Sequence, residues 1–300
     1  MHLAITGATG FIGSALVAAM AAAGHDTTRV TRRQSDAPGE ISWDPASGRL
    51  DPEALRGVDA VVHLAGEPIA SGRWTQKRRR RIRDSRVEGT ALLAKTMAGM
   101  PDGPRILVAA SGIDYYGDRG DEVLTEDSAP GDDFLAEVCV AWEAAADPAR
   151  DAGVRVVHLR TGMVLGEGGA LPKLALPFKL GVGGRLGSGK QYMSWITLDD
   201  HLALIAYALS DRLDGPVNAV APAPVTNAEF TRTLADVLSR PALVPVPRFA
   251  PRLVLGELAD ALLFSSKRAL PERAEANGFV FTHPNLEDGL RHVLDRPRTG

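Results

Sequence analysis

The apolar positions of this chain follow two rhythms that alternate along its first half. Short runs rich in Val, Ile, Leu, Ala and Thr occupy His2–Thr6, Thr28–Thr31, Ala60–Leu64, Ile106–Ala110 and Val154–Leu159. Several are nearly unbroken apolar runs, as a strand requires when both faces of its sheet are covered. Between them, apolar residues recur at helical spacing: Leu16, Val17 and Met20, then Ala91–Met97, then Leu135–Ala146. Strand alternating with helix predicts a doubly wound parallel α/β sheet. A short strand is expected at Ile41–Trp43, a helix over His201–Leu209 and a returning strand at Val217–Val220.

After Gly162 the texture changes. Residues 166–191 are rich in Gly, Pro and Lys and predict long loops around one short helix. Thr226 and Glu229, three residues apart, form a capping box that opens a helix with Phe230, Leu234, Val237 and Leu238 on one face. Pro241–Pro251 is expected to be linker-like or extended. Leu253–Phe264 and Arg268–Asn277 are expected helices, the second closed by Gly278. The chain therefore divides into a sheet domain over 1–165, completed by roughly 195–222, and a smaller C-terminal α/β region over 166–300.

The strongest chemical signal is the opening MHLAITGATGFIG. A strand runs into Gly7, Gly10 and Gly13, and a helix follows at once. Gly7 permits the tight turn, Gly10 lets a pyrophosphate approach the backbone, and Gly13 lets helix and strand pack closely. Thr9, Phe11 and Ile12 complete this segment, whose helix N-terminus directs N–H groups at the phosphates. The sheet is thus expected to be of Rossmann type. Coenzyme choice falls where the second strand ends. An NAD site would place Asp or Glu there, but the chain reads Val30-Thr31-Arg32-Arg33. A 2′-phosphate suits the guanidinium of Arg32, with Thr31 as a hydroxyl donor, so NADP is expected. The alternative is a pair of solvated arginines.

Charge narrows the partners. A net charge of −3 gives no global attraction to nucleic acid. The run Lys77–Arg83, KRRRRIR, is expected to be mostly a solvated helix face, with one or two members toward cofactor phosphates. No stretch approaches the roughly 20 apolar residues that span a bilayer. The single cysteine, Cys139, fits a reducing, cytoplasmic setting and a buried position. The histidines lack metal-ligand spacing, so no metal is expected. The partner is a small-molecule substrate, and a homodimer is left open.

Further motifs resemble the extended short-chain dehydrogenase/reductases, the group of nucleotide-sugar epimerases and dehydratases. The spacing Gly7-x-x-Gly10-x-x-Gly13 is theirs. His63-Leu64-Ala65-Gly66 is similar to their H-x-A-x motif beside the cofactor, and Tyr116-Gly117 to their Y-G. Ser85-Arg86-Val87-Glu88-Gly89-Thr90 looks like their N-V-x-G-T helix, with Arg86 where Asn is usual. HLAGEPIASGRW (63–74), SWITLDDHLALI (194–205) and KRALPERAEANGFVFTHP (267–284) point to a narrower epimerase-like subfamily, sometimes mislabelled cell-division inhibitors. It carries a C-terminal domain of unknown function. The resemblance implies bound NADP(H), a smaller substrate domain and an undefined substrate.

One departure matters. The Tyr-x-x-x-Lys pair that such enzymes use for proton transfer should lie in FLAEVCVAWE (134–143), where Leu135 and Cys139 stand instead. The usual hydroxyl partner is also displaced, with Gly112 at its position and Ser111 one step earlier. Tyr116 and Ser111 are therefore the nominated catalytic residues, with Arg160 and Arg86 as neighbouring positive charges beside the cofactor. For Tyr116 and its neighbour Tyr115, a packed ring is the competing role. Trp195 and Gln191 are candidates for the pocket wall, Trp195 equally for the core. Two functions follow: an NADP(H)-dependent epimerase-like oxidoreductase for a small polar carbonyl or hydroxyl compound, or a noncatalytic NADP(H)-binding redox sensor or regulator.

Overall fold

The computed structural model describes residues 1–35 and 37–296, so residues 297–300 of the expected second region lie outside the described residues. Eight strands form one sheet: β1 (His2–Thr6), β2 (Asp26–Thr31), β3 (Glu40–Asp44), β4 (Arg49–Leu50), β5 (Ala60–His63), β6 (Ile106–Gly112), β7 (Arg155–Thr161) and β8 (Gly215–Ala219). Their spatial order is β8-β7-β6-β5-β1-β2-β3-β4. Every pairing is parallel except β3 with β4 at the edge.

Both faces are buried, as the unbroken apolar runs require. Along β1, Leu3 and Ile5 join one core while Ala4 joins the other. The first core packs α1 (Phe11–Ala22) and α4 (Leu198–Ala208) on the sheet through Leu16, Met20, Leu204 and Ile205. Phe279 and Phe281 enter this same core, which fixes the C-terminal region to the sheet. The second core packs α2 (Gln76–Ala98) through Leu93, Ala94 and Met97. Helix α3 (Phe134–Ala144) lies over β6 and buries Leu135, Val138, Cys139 and Trp142.

A third core holds the C-terminal region, where α5 (Asn227–Leu238) packs against Leu171–Lys179 and Leu286–Val293. Its capping box forms, Thr226 and Glu229 each satisfying the other's backbone. Two expected helices differ. Leu253–Phe264 is broken at Gly256, whose φ of +63° is left-handed, into Phe249–Leu255 and a second piece starting at Glu257. In Arg268–Asn277 only Glu272–Ala276 is helical. Pro271 disfavours helix in the residue before it, and Arg268–Ala269 instead pairs in parallel with Val123–Leu124. Helix α2 is longer than its apolar pattern suggested, because its first half is polar on most sides.

A candidate dinucleotide cleft

Parallel pairing brings the ends of β1, β2, β5, β6 and β7 to one edge of the sheet, where ligands of such folds bind. The register aligns Thr6 with His63 and with Val30, and Gly112 with Thr161.

The three glycines of the first turn differ in what they require. Gly7 has a φ of +66°, and a Cβ there would lie 2.8 Å from the Leu64 carbonyl carbon. At Gly13 a Cβ would fall 2.1 Å from the Gly7 oxygen. Both are demanded by the protein's own packing. Gly10 is not: it is exposed, and the only atom near an added Cβ is the Gly7 oxygen at 3.3 Å. Gly10 also starts α1 with no side-chain cap. The turn therefore leaves an open cradle with the helix's first N–H groups toward it, which fits a pyrophosphate. Thr9 is exposed beside it, and Ile12 packs into the core below. Phe11 packs elsewhere. Added Cβ atoms at Gly166 and Gly168 would each come within 2.5 Å of its ring. Those glycines thus serve close packing onto α1.

The wall after β5 is braced from behind. The Thr6 hydroxyl accepts from the Leu64 and Ala65 amides at 3.1 Å and lies 2.7 Å from His63 Nδ1. With two donors already aimed at it, the hydroxyl donates to Nδ1, which leaves the ring proton on Nε2. The His63 ring has no exposed surface, and burial, aided by nearby Arg86, lowers its pKa to about 3. His63 thus braces the wall from behind, fully buried. Arg86 lies against Gly66, donates to the Glu67 and Ile82 carbonyls, and stands 5.0 Å over the Trp142 ring.

At the end of β2, Thr31 is half-buried and its hydroxyl accepts from the Arg33 amide at 3.3 Å. Arg33 is within 3.8 Å of Glu40. Arg32 is exposed and, among the described residues, has no hydrogen-bond or ion-pair partner.

The nominated catalytic groups do come together, but inward. Arg160 is 3% exposed and makes two 2.8 Å bonds to the two oxygens of Glu143. It also donates to the Tyr116 hydroxyl at 3.0 Å and lies 3.4 Å from the Tyr115 ring centre. Tyr116 donates in turn to Asn218 Oδ1 at 2.7 Å, and Ser111 donates to Glu143 at 2.7 Å. Tyr116 has no exposed surface, and burial pushes its pKa up to about 12 despite Arg160. The polar atoms of Tyr116, Ser111 and Arg160 are thus engaged with Asn218, Glu143 and, for Tyr116 and Arg160, each other. Burial also pushes the Cys139 thiol up to about 12.

Of its two expected roles, Trp195 takes the second. Trp195 is fully buried, its indole N–H on the Ala223 carbonyl, and belongs to the core. Gln191 ties Leu186 to Leu263. The basic run is mostly a solvated helix face, with Lys77, Arg80, Arg81 and Arg83 exposed. Arg78 and Arg81 both bind Glu67, while Arg79 pairs with Glu257 and stacks on Phe134. On another face, Asp199, His283 and His292 converge, with His292 Nε2 2.5 Å from Asp199. No spacing in the sequence announced that group. Asp114 and Lys267, missed by the sequence reading, pair at 2.9 Å beside Cys139.

A parallel sheet with an open glycine turn ahead of its first helix defines a nucleotide-binding α/β protein. Residues 3–220 match the NAD dependent epimerase/dehydratase family, and residues 246–293 match a domain of unknown function, DUF1731. The chain belongs to that epimerase/dehydratase family. It is 44% identical over 297 residues to the Mycobacterium tuberculosis epimerase family protein MT2273, covering 98% of each chain. The human epimerase family protein SDR39U1 is 38% identical, with 98% of this chain and 100% of the relative covered. The crystal structure of human SDR39U1 with NADPH superposes with a TM-score of 0.90 at 37% identity, covering 99% of this chain and 100% of that one. MoeE5 in complex with UDP-glucose and NAD shares the fold at 23% identity and a TM-score of 0.77, covering 98% of each chain. Among the described residues no helix is long and apolar enough to cross a membrane.

Proposed function

We propose that this chain is an NADP(H)-dependent, epimerase-like oxidoreductase acting on a small polar carbonyl or hydroxyl compound without the usual Tyr-x-x-x-Lys pair. The observation that carries the reading is the open cradle at Gly10 combined with an exposed Arg32 at the end of β2 that has no partner among the described residues. The NADPH in the human relative supports it. In this reading the Gly7–Gly13 backbone, with Thr9, receives the pyrophosphate. Thr31 and Arg32 receive the 2′-phosphate. Leu64, Ala65, Gly66 and Arg86 line the nicotinamide side. Bound NADP(H) supplies hydride chemistry; the chain holds and orients it. A cytoplasmic setting belongs to the same proposal.

Arg32→Ala tests the coenzyme assignment. A charge-assisted contact contributes about 1.5–3 kcal/mol, and each 1.4 kcal/mol is about tenfold in affinity. NADPH should bind the parent at least about tenfold tighter than NADH, and the variant should lose that margin with NADH affinity unchanged. Equal binding of the two coenzymes by the parent, read by fluorescence titration, removes NADP from the proposal.

A second reading, a noncatalytic NADP(H) sensor, is favoured by the buried Ser111–Glu143–Arg160–Tyr116 network, which leaves the nominated hydroxyls no route to a substrate. Turnover of NADPH against a carbonyl library separates the two. On either reading Tyr116→Phe should act on stability. It strips Arg160 and Asn218 of a buried partner, which costs about 1–3 kcal/mol, while NADPH affinity should stay within about twofold. Turnover lost at unchanged urea midpoint would return Tyr116 to the chemistry.

A further inference from the structure

Helix α3 brings no ionisable pair to the cleft, yet a charge pair stands beside the vacant positions. Asp114 lies in the turn Ile113–Tyr116 that follows β6, and its Oδ1 is 2.9 Å from Nζ of Lys267. Lys267 comes from the C-terminal region. Its backbone is pinned there: its amide donates to the Tyr192 carbonyl, and its own carbonyl accepts from the Ser194 hydroxyl at 2.9 Å. The Lys267 side chain is 8% exposed and that of Asp114 22%, so the pair is largely but not fully closed to solvent.

Its position relative to α3 is fixed by Gly112. A Cβ on that residue would touch Asp114 Oδ2 at 3.7 Å and Cys139 Sγ at 3.8 Å. Asp114 therefore adjoins the residue that stands where the family's lysine should be. Arg86 approaches the same place from α2, close enough for its charge to act on both Cys139 and Asp114. An ion pair taken out of water is weak evidence for stability, because desolvation offsets much of its attraction. A partly exposed ammonium with a donor to spare can instead serve an anionic ligand through a charge-assisted bond.

We propose that Lys267, held by Asp114, is the substrate-facing donor of the cleft, and that with Arg86 it selects a small substrate carrying a carboxylate or comparable anionic oxygen. The proposal rests on the cofactor reading above. An ammonium has three donors. One is on Asp114, and a second approaches the Ala261 carbonyl at only 3.4 Å, so at least one is available. Glu67, which also acts on Arg86, is taken up by Arg78 and Arg81, and Glu143 by Arg160, so Lys267 and Arg86 against Asp114 leave an excess positive charge, which sets the ligand class.

Oxalate is the probe, titrated calorimetrically into the full chain saturated with NADPH, with 2′,5′-ADP and NADPH affinities measured alongside. Oxalate should bind the NADPH-loaded parent. Lys267→Met should weaken it by about tenfold or more, as expected for a lost charge-assisted bond, with 2′,5′-ADP affinity unchanged. Asp114→Asn should move the other way, tightening oxalate severalfold, because it removes the local negative charge and keeps the shape. A merely structural clamp would give both variants the same sign: lower stability and no gain in oxalate affinity. That outcome overturns the proposal, as does an NADPH-loaded parent that ignores oxalate. If Lys267→Met does not fold, the Asp114→Asn arm decides alone. A parent that binds neither NADPH nor 2′,5′-ADP would instead defeat the cofactor reading, so the two failures are distinguishable.

Discussion

A Gly10→Val variant is expected to fold like the parent and to lose NADPH binding by at least about 100-fold, or roughly 2.7 kcal/mol. The two halves of that expectation have separate causes. Folding survives because an added Cβ meets only the Gly7 oxygen, at 3.3 Å, and because Gly10 has an ordinary φ of −80°. Binding fails because the branched side chain fills the cradle where the pyrophosphate must approach the backbone. Gly13→Ala supplies the contrast. Its Cβ would lie 2.1 Å from the Gly7 oxygen, so that variant should lose stability and binding together. Thermal unfolding and fluorescence titration of both variants read the difference. A folded Gly10→Val protein with parental NADPH affinity would place the phosphates elsewhere.

The glycine turn was legible because strand, turn and helix start lie within thirteen residues, although the Leu64 backbone that also crowds Gly7 comes from a distant strand end. The parallel sheet was legible for a similar reason, since burial on both faces prints an apolar run on the central strands β1, β5, β6 and β7. The fate of Tyr116 was not. Its hydroxyl is closed off by Arg160 and Asn218, and nothing near Tyr116 in sequence announces either partner. The partners of the basic run were hidden in the same way, because Glu67 and Glu257 reach Arg78, Arg79 and Arg81 only after folding. Gly166 and Gly168 read as loop composition, whereas the ring of Phe11 is what forbids a side chain there. Lys267 opens a subfamily motif but carried no signal of its own chemistry. A Lys-Arg pair after two serines is ordinary surface composition, and only the β6 turn gives Lys267 a charged partner. Composition and spacing thus report contacts made along one element, while the inward network and the Asp114–Lys267 pair are made between elements.

Glu143→Ala should be the most destabilising single substitution in the cleft region. Arg160 is 3% exposed, and burial works against its charge; the paired bonds from Glu143 outweigh that penalty and hold the guanidinium protonated. Removing the carboxylate leaves an uncompensated cation among Tyr115, Tyr116 and the Glu126 carbonyl. Breaking a buried pair from one side costs about 3–5 kcal/mol, a large share of the roughly 5–15 kcal/mol that holds a domain folded. Ser111 would lose its acceptor in the same step. The double variant Glu143→Ala/Arg160→Leu should recover part of the loss, since an apolar side chain has no charge to strand, although Tyr116 then keeps only Asn218. A Glu143→Gln change should fall between, because the amide preserves shape and one acceptor but not the charge. Urea midpoints of the three proteins order these effects. A Glu143→Ala midpoint within about 1 kcal/mol of the parent would mean that water reaches Arg160, since exposed pairs contribute no more than that. In that case the network would be open to solvent, and Tyr116, with Arg160 free beside it, would regain a path to a bound ligand.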